Sequence, residues 1–394
     1  MKRCGLGAIG VVLAVALLLA ACSEQESTPG AASSSSVAGS SSAAGSSSAV
    51  SGDAEKVLNV YNWSDYIDPT VVPAFEREFG IKVNYDVFDS NEVVETKLLS
   101  GKTGYDVVVP SASFMQRQIQ AGVFQKLDKS LLPNLKNLDP DMSHRMEVYD
   151  PGNQYGVNYL WGTSGVGYNE EQIDKAMPNA PVDSFAMFFD PKVVRNFQQC
   201  GVSILDAPDE MVGNVLLFLG KDPNSESTED LQAAEKVLLS IRPYIRYINS
   251  SKYIEDLANG ELCLALGWSG DVGQARLRAK DAGKDARIKY HIAKEGGIMF
   301  FDMIVIPADA PHPKNAHLFI NYLMRPDVAA KNATAVHFAT TNSGAFSLID
   351  PAVYNDRNVY PNDVQKGHLQ PNISHSMAYM RDLNRTWTRF KTGH

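Results

Sequence analysis

Apolar positions follow two spacings in the chain after residue 52, and the two spacings alternate. Short apolar or alternating runs predict β-strands, whereas apolar residues three and four positions apart predict helices. In the first half this pattern predicts strands at residues 57–61, 81–87 and 105–109, with helices at 69–79 and 93–99 between them. Strands and helices in this order favour right-handed crossovers and a mainly parallel sheet.

The second half repeats the pattern, with strands predicted at residues 202–206, 262–267 and 298–306 and helices at 211–219 and 229–241. We therefore predict an α/β fold. Ligands of open parallel sheets collect at the carboxyl ends of the strands. The turns after the strands at 57–61 and 105–109 lie at such ends.

The N-terminus has the pattern of an export signal. Lys2 and Arg3 precede an apolar run over residues 5–21, too short for a comfortable membrane span. The run ends in Leu-Ala-Ala-Cys at residues 19–22, which resembles the lipobox of bacterial lipoproteins. We predict a signal peptide at 1–21 and lipidation of Cys22. The alternative is an ordinary signal peptide followed by an incidental cysteine.

Residues 22–52 have the composition of a flexible tether. Of these 31 residues, 23 are Ser, Ala or Gly, and none is aromatic. Such a segment cannot bury a core. A lipid on Cys22 would then hold the globular part near a membrane surface.

Composition limits the remaining possibilities. With 394 residues, 44% of them hydrophobic, the chain is long enough for two packed domains and is not intrinsically disordered. A net charge of −9 argues against nucleic acid as a partner and is compatible with a cationic ligand. Four cysteines are too few for a disulfide scaffold.

Four carboxylates share one context, near predicted strand ends and beside aromatic residues: Asp65, Glu210, Asp271 and Asp302. Asp302 lies inside an apolar strand, where a carboxylate is costly unless it is paired. Its partner is either a lysine or arginine of the protein or the ammonium group of a ligand. Aromatic rings attract cations, so two acidic ends with an aromatic middle would suit a molecule with an amine at each end.

An enzyme is the weaker interpretation. Paired carboxylates occur in glycosidases, and a carboxylate-based hydrolase is the distant alternative. The chain has no Gly-x-Ser-x-Gly elbow, no His-Glu-x-x-His motif and no phosphate-binding loop. Its eight histidines are scattered, so we expect neither a metal site nor a cofactor.

Several longer stretches resemble bacterial periplasmic polyamine-binding proteins of ABC importers, and the putrescine-binding members most of all. These stretches cover residues 60–66, 85–93, 109–114, 205–208, 219–225, 267–271, 294–297, 300–302 and 323–328. The resemblance implies a two-lobed, type II-like solute-binding protein with its ligand in the cleft between the lobes. Each lobe would be a mixed, mainly parallel sheet with flanking helices. One lobe would contain 53–159 and 282–329, and the other 160–281 and 330–394.

The resemblance also implies a ligand site. Its positions fall on Trp63, Ser64, Asp65, Tyr66, Ser111, Glu210, Trp268, Asp271, Phe300, Asp302 and Phe338. By this analogy Asp302 and the turn at 64–65 hold one amine. Asp271 holds the other with help from Glu210 and Ser111. Trp63, Trp268 and Phe300 would enclose the methylene chain.

Two positions depart from the family pattern. Phe338 stands where the family usually has tyrosine, which removes a hydroxyl near the distal amine. Gly273 stands where a bulky aromatic residue is often found, which we expect to widen the pocket for a longer amine such as spermidine. The family also places a disulfide at Cys200 and Cys263; the alternative is two buried free thiols.

The expected function is capture of a polyamine by lobe closure and its delivery to an ABC permease in the inner membrane. Putrescine is the favoured ligand, and a spermidine-preferring receptor or a component of a polyamine sensor are the alternatives. We expect a periplasmic monomer that touches a membrane only through the lipid on Cys22.

Overall fold

The structure is a computed structural model that describes residues 52–284 and 287–393. The predicted signal peptide, the lipidation site Cys22 and the tether up to residue 51 lie outside these residues.

Ten strands form the described sheet. They are β1 (Val57–Trp63), β2 (Lys82–Phe88), β3 (Val107–Val108), β4 (Gly156–Asn169), β5 (Val202–Ile204), β6 (Tyr247–Ile248), β7 (Leu264–Trp268), β8 (Ile288–His291), β9 (Gly297–Val305) and β10 (Leu369–Pro371).

The α-helices flank this sheet. They are α1 (Val71–Phe79), α2 (Asn91–Ser100), α3 (Ala112–Gln120), α4 (Pro140–Arg145), α5 (Glu170–Ala176), α6 (Ala186–Phe189), α7 (Pro191–Val194), α8 (Pro208–Phe218), α9 (Thr228–Ile241), α10 (Lys252–Asn259), α11 (Ser269–Asp281), α12 (Pro313–Leu323), α13 (Pro326–Val336), α14 (Pro351–Tyr354), α15 (Asp363–Lys366) and α16 (Met377–Thr392). Short 3₁₀ turns connect several of them.

Two long strands join the halves of the sheet. The strand order is β2-β1-β3-β9-β4-β7-β5-β6, with β8 added to β4 and β10 to β9. Residues 156–163 of β4 pair with β9, and residues 164–168 pair with β7. The outer pairings, such as β1 with β2 and β5 with β7, are parallel, whereas β4 and β9 run antiparallel to each other. The prediction of mixed, mainly parallel sheets is confirmed.

The apolar residues form two separate cores. The first contains buried residues from the ranges 58–161 and 299–369, and the second contains those from 166–298 and 379–390. Trp268 and Ile292 pack against both cores. Buried apolar residues between 288 and 298 thus belong to the second core, and those between 330 and 369 belong to the first core. This packing is the basis for the lobe boundaries that we propose below.

Local sequence signals place the acidic residues of the second half at helix starts. Pro208 occupies the first turn of α8, so Glu210 lies in the same turn. Strand β7 runs directly into α11, which puts Asp271 in the first turn of that helix. The N-terminus of a helix favours negative charge because of the helix dipole.

Strand β4 was absent from the sequence-based prediction. All of its 14 residues are buried, because both faces are covered. A strand buried on both faces loses the apolar-polar alternation that identifies a strand, and the glycines and polar residues of this segment break up an apolar run.

No helix within residues 52–284 and 287–393 is long and apolar enough to cross a membrane. No group of three or more His, Cys, Asp or Glu side chains within these ranges is arranged to hold a metal ion.

Cys200 and Cys263 form a disulfide, as the family resemblance implied, with 5.4 Å between their Cα atoms. The bond joins the end of a loop before β5 to the residue preceding β7, and so closes a loop with a sequence separation of 63. Crosslinking a loop of this length lowers the entropy of the unfolded chain by an amount worth about 4 kcal/mol.

We therefore expect the double substitution Cys200→Ala and Cys263→Ala to lower the free energy of unfolding by about 4 kcal/mol, because the unfolded chain regains that entropy. Urea unfolding followed by circular dichroism measures the change. Wild-type protein unfolded in the presence of a reductant is the control, and it should approach the stability of the double variant. An unchanged midpoint would show that the loop is constrained by other means.

Candidate functional site

A cavity lies where the two cores meet. All eleven positions of the predicted site line it. Five more residues complete its wall, namely Phe88, Asp89, Ser250, Ser251 and Ile254. The structure thus brings together side chains from the end of β1 and the turn that follows it, from the residues after β3, and from α8, α11 and β9.

Asp302 lies at the end of the cavity formed by the first core. Its carboxylate accepts hydrogen bonds from the hydroxyls of Tyr66 and Ser111, each at 2.7 Å. Asn91 holds Ser111 from behind, through the Ser111 backbone N–H and hydroxyl, both at 3.0 Å. Burial raises the pKa of Asp302 to about 6, although the two hydroxyl donors act in the opposite direction.

Asp271 lies at the end formed by the second core. The hydroxyl of Tyr253 donates to its Oδ2 atom at 2.7 Å and accepts from the backbone N–H of Trp268 at 3.0 Å. Burial raises the pKa of Asp271 to about 7, against the effect of the Tyr253 hydrogen bond.

Glu210 lies beside Trp268, whose indole N–H donates to Oε2 at 3.0 Å. Burial raises the pKa of Glu210 to about 8, and the nearby carboxylates of Asp209, Asp302 and Glu92 add to that rise.

None of these three carboxylates has a cationic partner within 4.0 Å in the part of the chain that the structure describes. Asp302 therefore receives hydroxyl donors and not the lysine or arginine that was one alternative from the sequence. A buried carboxylate without a countercharge is unfavourable when ionised. The cavity is consequently a site in which a cation would be strongly stabilised.

Aromatic rings form the walls between the acidic ends. The ring centroids of Trp63 and Trp268 are 5.7 Å apart, edge to face. Phe300 follows Trp268 at 6.1 Å, and Phe338 lies 6.1 Å from Phe300 and 5.0 Å from Tyr66. Trp63 is fixed by its indole N–H, which donates to the carbonyl of Val109 at 2.9 Å. These π faces favour cations and alkyl chains alike.

Two glycines leave room for the Phe338 ring in this wall. A Cβ atom at Gly270 would lie 2.3 Å from the Phe338 ring, and one at Gly162 would lie 2.9 Å from it. Only glycine at these positions permits the ring to pack so closely.

The expectation for Gly273 is wrong. Gly273 does not line the cavity, and a Cβ atom there would meet the side chain of His337 at 2.8 Å. It lies one turn after Gly270 on the same face of α11, against His337 at the end of α13. This glycine therefore gives room to His337 and does not enlarge the cavity.

Asp65 differs from the other three acids because it lies exposed at the rim. Its backbone φ of 54° is left-handed, and its Oδ1 atom is 2.9 Å from a guanidinium nitrogen of Arg278 in α11. Arg278 also lies 3.6 Å from Glu255 in α10. The charge of Asp65 is thus already compensated by an ion pair that connects the two cores. Ser64, beside it, donates to Asp89 at 2.8 Å.

Sequence reasoning missed three parts of the site for identifiable reasons. Phe88 is the last residue of β2 and Asp89 follows it, so the strand-end rule applied there too. Ser250, Ser251 and Ile254 follow β6, a strand of two residues that is too short to show a pattern. Tyr253 lies behind the cavity wall, and no pattern in the neighbouring sequence indicates its contact with Asp271.

A cavity between two packed cores of an α/β fold, with acids at both ends and aromatic rings along its walls, is typical of a protein that binds a small solute. The chain belongs to the family of bacterial extracellular solute-binding proteins, whose profile matches residues 70–359. It acts outside the cytoplasm, as the export signal predicted.

Individual proteins of this family are similar in sequence to this chain. The chain is 49% identical over 341 residues to the putrescine-binding periplasmic protein SpuD of Pseudomonas aeruginosa, covering 86% of this chain and 92% of the relative. It is 47% identical over 341 residues to the putrescine-binding periplasmic protein PotF of Escherichia coli, with the same coverage. A solved structure of a putative spermidine/putrescine ABC transporter from Listeria monocytogenes matches with a TM-score of 0.77 and 32% identity, over 86% of this chain and 100% of that chain.

The raised pKa of Glu210 predicts a pH-dependent stability. A carboxyl whose pKa is higher in the folded state contributes stability below its unfolded pKa, and this contribution is lost as the pH rises through the folded pKa. We expect Glu210→Gln to stabilise the ligand-free protein above pH 8 by more than about 1 kcal/mol, because it removes a buried charge. The difference should vanish near pH 4.

Urea unfolding of both proteins across this pH range measures the effect. Glu171→Gln, at an exposed position in α5, is the matched control and should show no such trend. Equal stability of wild type and Glu210→Gln at high pH would mean that Glu210 is solvated in the ligand-free state.

Proposed function

We propose that this protein captures a polyamine, with putrescine favoured, and delivers it to an ABC permease in the inner membrane. The observation that carries the proposal is the set of three buried carboxylates without a cationic partner, enclosed by aromatic rings. A ligand with an ammonium group at each end supplies the missing charges. Its methylene chain is suited to the wall of Trp63, Trp268 and Phe300.

Selectivity for a diamine follows from the same arrangement. Asp302, with Tyr66 and Ser111, receives one ammonium, and Asp271, with Glu210 nearby, receives the other. A monoamine of the same length would leave one end buried and uncompensated, which costs binding energy. The names of the relatives, which refer to putrescine, support this choice of ligand.

The two acidic ends belong to different lobes, so we propose that the ligand holds the lobes together. We assign residues 52–161 and 299–369 to one lobe and 162–298 and 377–393 to the other, following the two cores. A bound dication contacts both lobes only in the closed state, and differential affinity of this kind drives closure. The Trp63–Trp268 contact and the Asp65–Arg278 ion pair close the same gap.

A specific observation also favours spermidine as a second ligand. A neighbouring pocket shares Trp63, Glu210 and Trp268 with the first and is lined further by Glu92 and Asp209. One oxygen of Asp209 lies 3.1 Å from Nε2 of His375, and the other is buried without a hydrogen-bond partner. The third ammonium of a longer amine would find acidic surroundings there.

Calorimetric titration tests the proposal. The globular part, residues 53–394, is freed of bound ligand by unfolding and refolding, and then titrated with putrescine, spermidine and arginine. Tight 1:1 binding of putrescine supports the proposal, and tighter binding of spermidine supports the second candidate. A folded sample that binds none of the amines would overturn both.

We expect Asp271→Asn and Asp302→Asn each to weaken putrescine binding by at least about tenfold, because each removes the charge that faces one ammonium. The same titration measures the dissociation constants. Asp141→Asn, an exposed aspartate in α4, is the matched control and should bind like wild type. An affinity within about twofold of wild type would exclude that residue from the site.

The proposed anchor is tested in cells. Lipidation of Cys22 predicts that the protein sediments with membranes and that Cys22→Ala releases it to the soluble extract, because the acyl chains provide the attachment. Cys4→Ala is the matched control, since Cys4 lies within the predicted signal peptide. Membrane sedimentation of the Cys22→Ala variant would contradict the anchor.

A further inference from the structure

Tyr253 contacts two parts of the cavity from a position outside it. Its ring is fully buried in α10, and it is not part of the cavity lining. Its single hydroxyl donates to Asp271 at 2.7 Å and accepts from the backbone N–H of Trp268 at 3.0 Å. One phenol therefore connects an acidic end of the cavity with the start of an aromatic wall.

The packing around Tyr253 leaves it little freedom. A Cβ atom at Gly267, in β7, would lie 2.5 Å from the Tyr253 ring. The ring is thus pressed against the backbone of the strand that leads into Trp268 and α11. With both its donor and its acceptor capacity used, the hydroxyl has one orientation that satisfies both partners.

The two acidic ends differ in how they are held. Both oxygens of Asp302 accept a hydroxyl, one from Tyr66 and one from Ser111. Asp271 accepts only the Tyr253 hydroxyl among the side-chain donors of the described residues. This bond occupies Oδ2 and leaves Oδ1 available for a ligand. Loss of the Tyr253 hydroxyl would accordingly leave Asp271 without a fixed orientation, whereas Asp302 would keep one donor after loss of Ser111.

We infer that Tyr253 is a positioning residue for polyamine binding, which orients the Asp271 carboxylate, maintains it as an anion and couples it to Trp268. The inference rests on the proposed function, because it assigns Asp271 to one ammonium. Three other charged groups influence Asp271: Asp65 and Asp302 disfavour its ionised form, and Arg278 favours it. Arg278 is half-exposed at the rim, so Tyr253 is the buried group that stabilises the anion.

The test is the substitution Tyr253→Phe in the full chain, which keeps the ring and removes the hydroxyl. We expect the putrescine dissociation constant near neutral pH to rise by about tenfold. The loss should shrink as the pH rises from 7 to 8.5, because Asp271 then ionises without help while the ammonium groups of putrescine stay protonated. Ser111→Ala should cost less, because Tyr66 continues to hold Asp302. Tyr322→Phe, which removes a buried hydroxyl bonded to the carbonyl of Val71, is the matched control and should bind like wild type.

A double-mutant cycle separates positioning from packing. In an Asp271→Asn background, Tyr253→Phe should change the affinity by less than about threefold, because the carboxylate it serves is gone. An equal loss in both backgrounds would overturn the inference, since the hydroxyl would then act through the fold and not through Asp271.

A measurement without ligand distinguishes this inference from the proposed function. The ¹³C carboxyl resonance of Asp271, assigned by its absence in Asp271→Asn, reports the titration midpoint of that group. Tyr253→Phe should move the midpoint upward by about one pH unit. A shifted midpoint in a protein that binds no amine would overturn the proposed ligand but retain the role of Tyr253 in holding Asp271. An unchanged midpoint would overturn that role whatever the ligand.

Discussion

The constraint on which the structure depends is the burial of Glu210, Asp271 and Asp302 without a countercharge from the described chain. Burial raises the pKa of all three groups. The fold tolerates them by giving each a neutral donor: an indole for Glu210, a tyrosine for Asp271, and a tyrosine with a serine for Asp302. A neutral donor satisfies an oxygen atom but leaves the negative charge uncompensated, so each acid keeps its attraction for a cation.

The two-lobed architecture divides these acids between the two ends of the cavity. Asp302 extends from β9 with the first core, whereas Asp271 and Glu210 start helices of the second. In the proposed function, a dication between them would be held by both lobes, so its binding energy would depend on closure. Strands β4 and β9 continue from one lobe to the other. Their extended pairing connects the two ends of the cavity through one sheet.

The acidic residues at the rim, unlike the buried ones, have a cationic partner within the protein. Asp65 and Glu255 share Arg278, and all three are partly exposed. Ion pairs of this kind contribute little energy in water. Their effect is geometric, since the Asp65–Arg278 pair connects a turn of the first lobe to a helix of the second. The charge of Asp65 at the rim is therefore paired within the protein, whereas the buried acids have no cationic partner among the described residues.

The sequence by itself determined the α/β class, the main strands and helices, and eleven of the residues that line the cavity. Local patterns marked the strand ends and the four acids, and the resemblance of contiguous motifs to the family supplied the other positions. Tertiary structure alone decided the rest. It revealed β4, whose two buried faces hide its pattern, and it turned Gly273 toward His337. It paired Asp65 with Arg278 and placed Tyr253 behind Asp271. Each of these depends on which side chains meet across elements that are distant in sequence, and no local pattern records that.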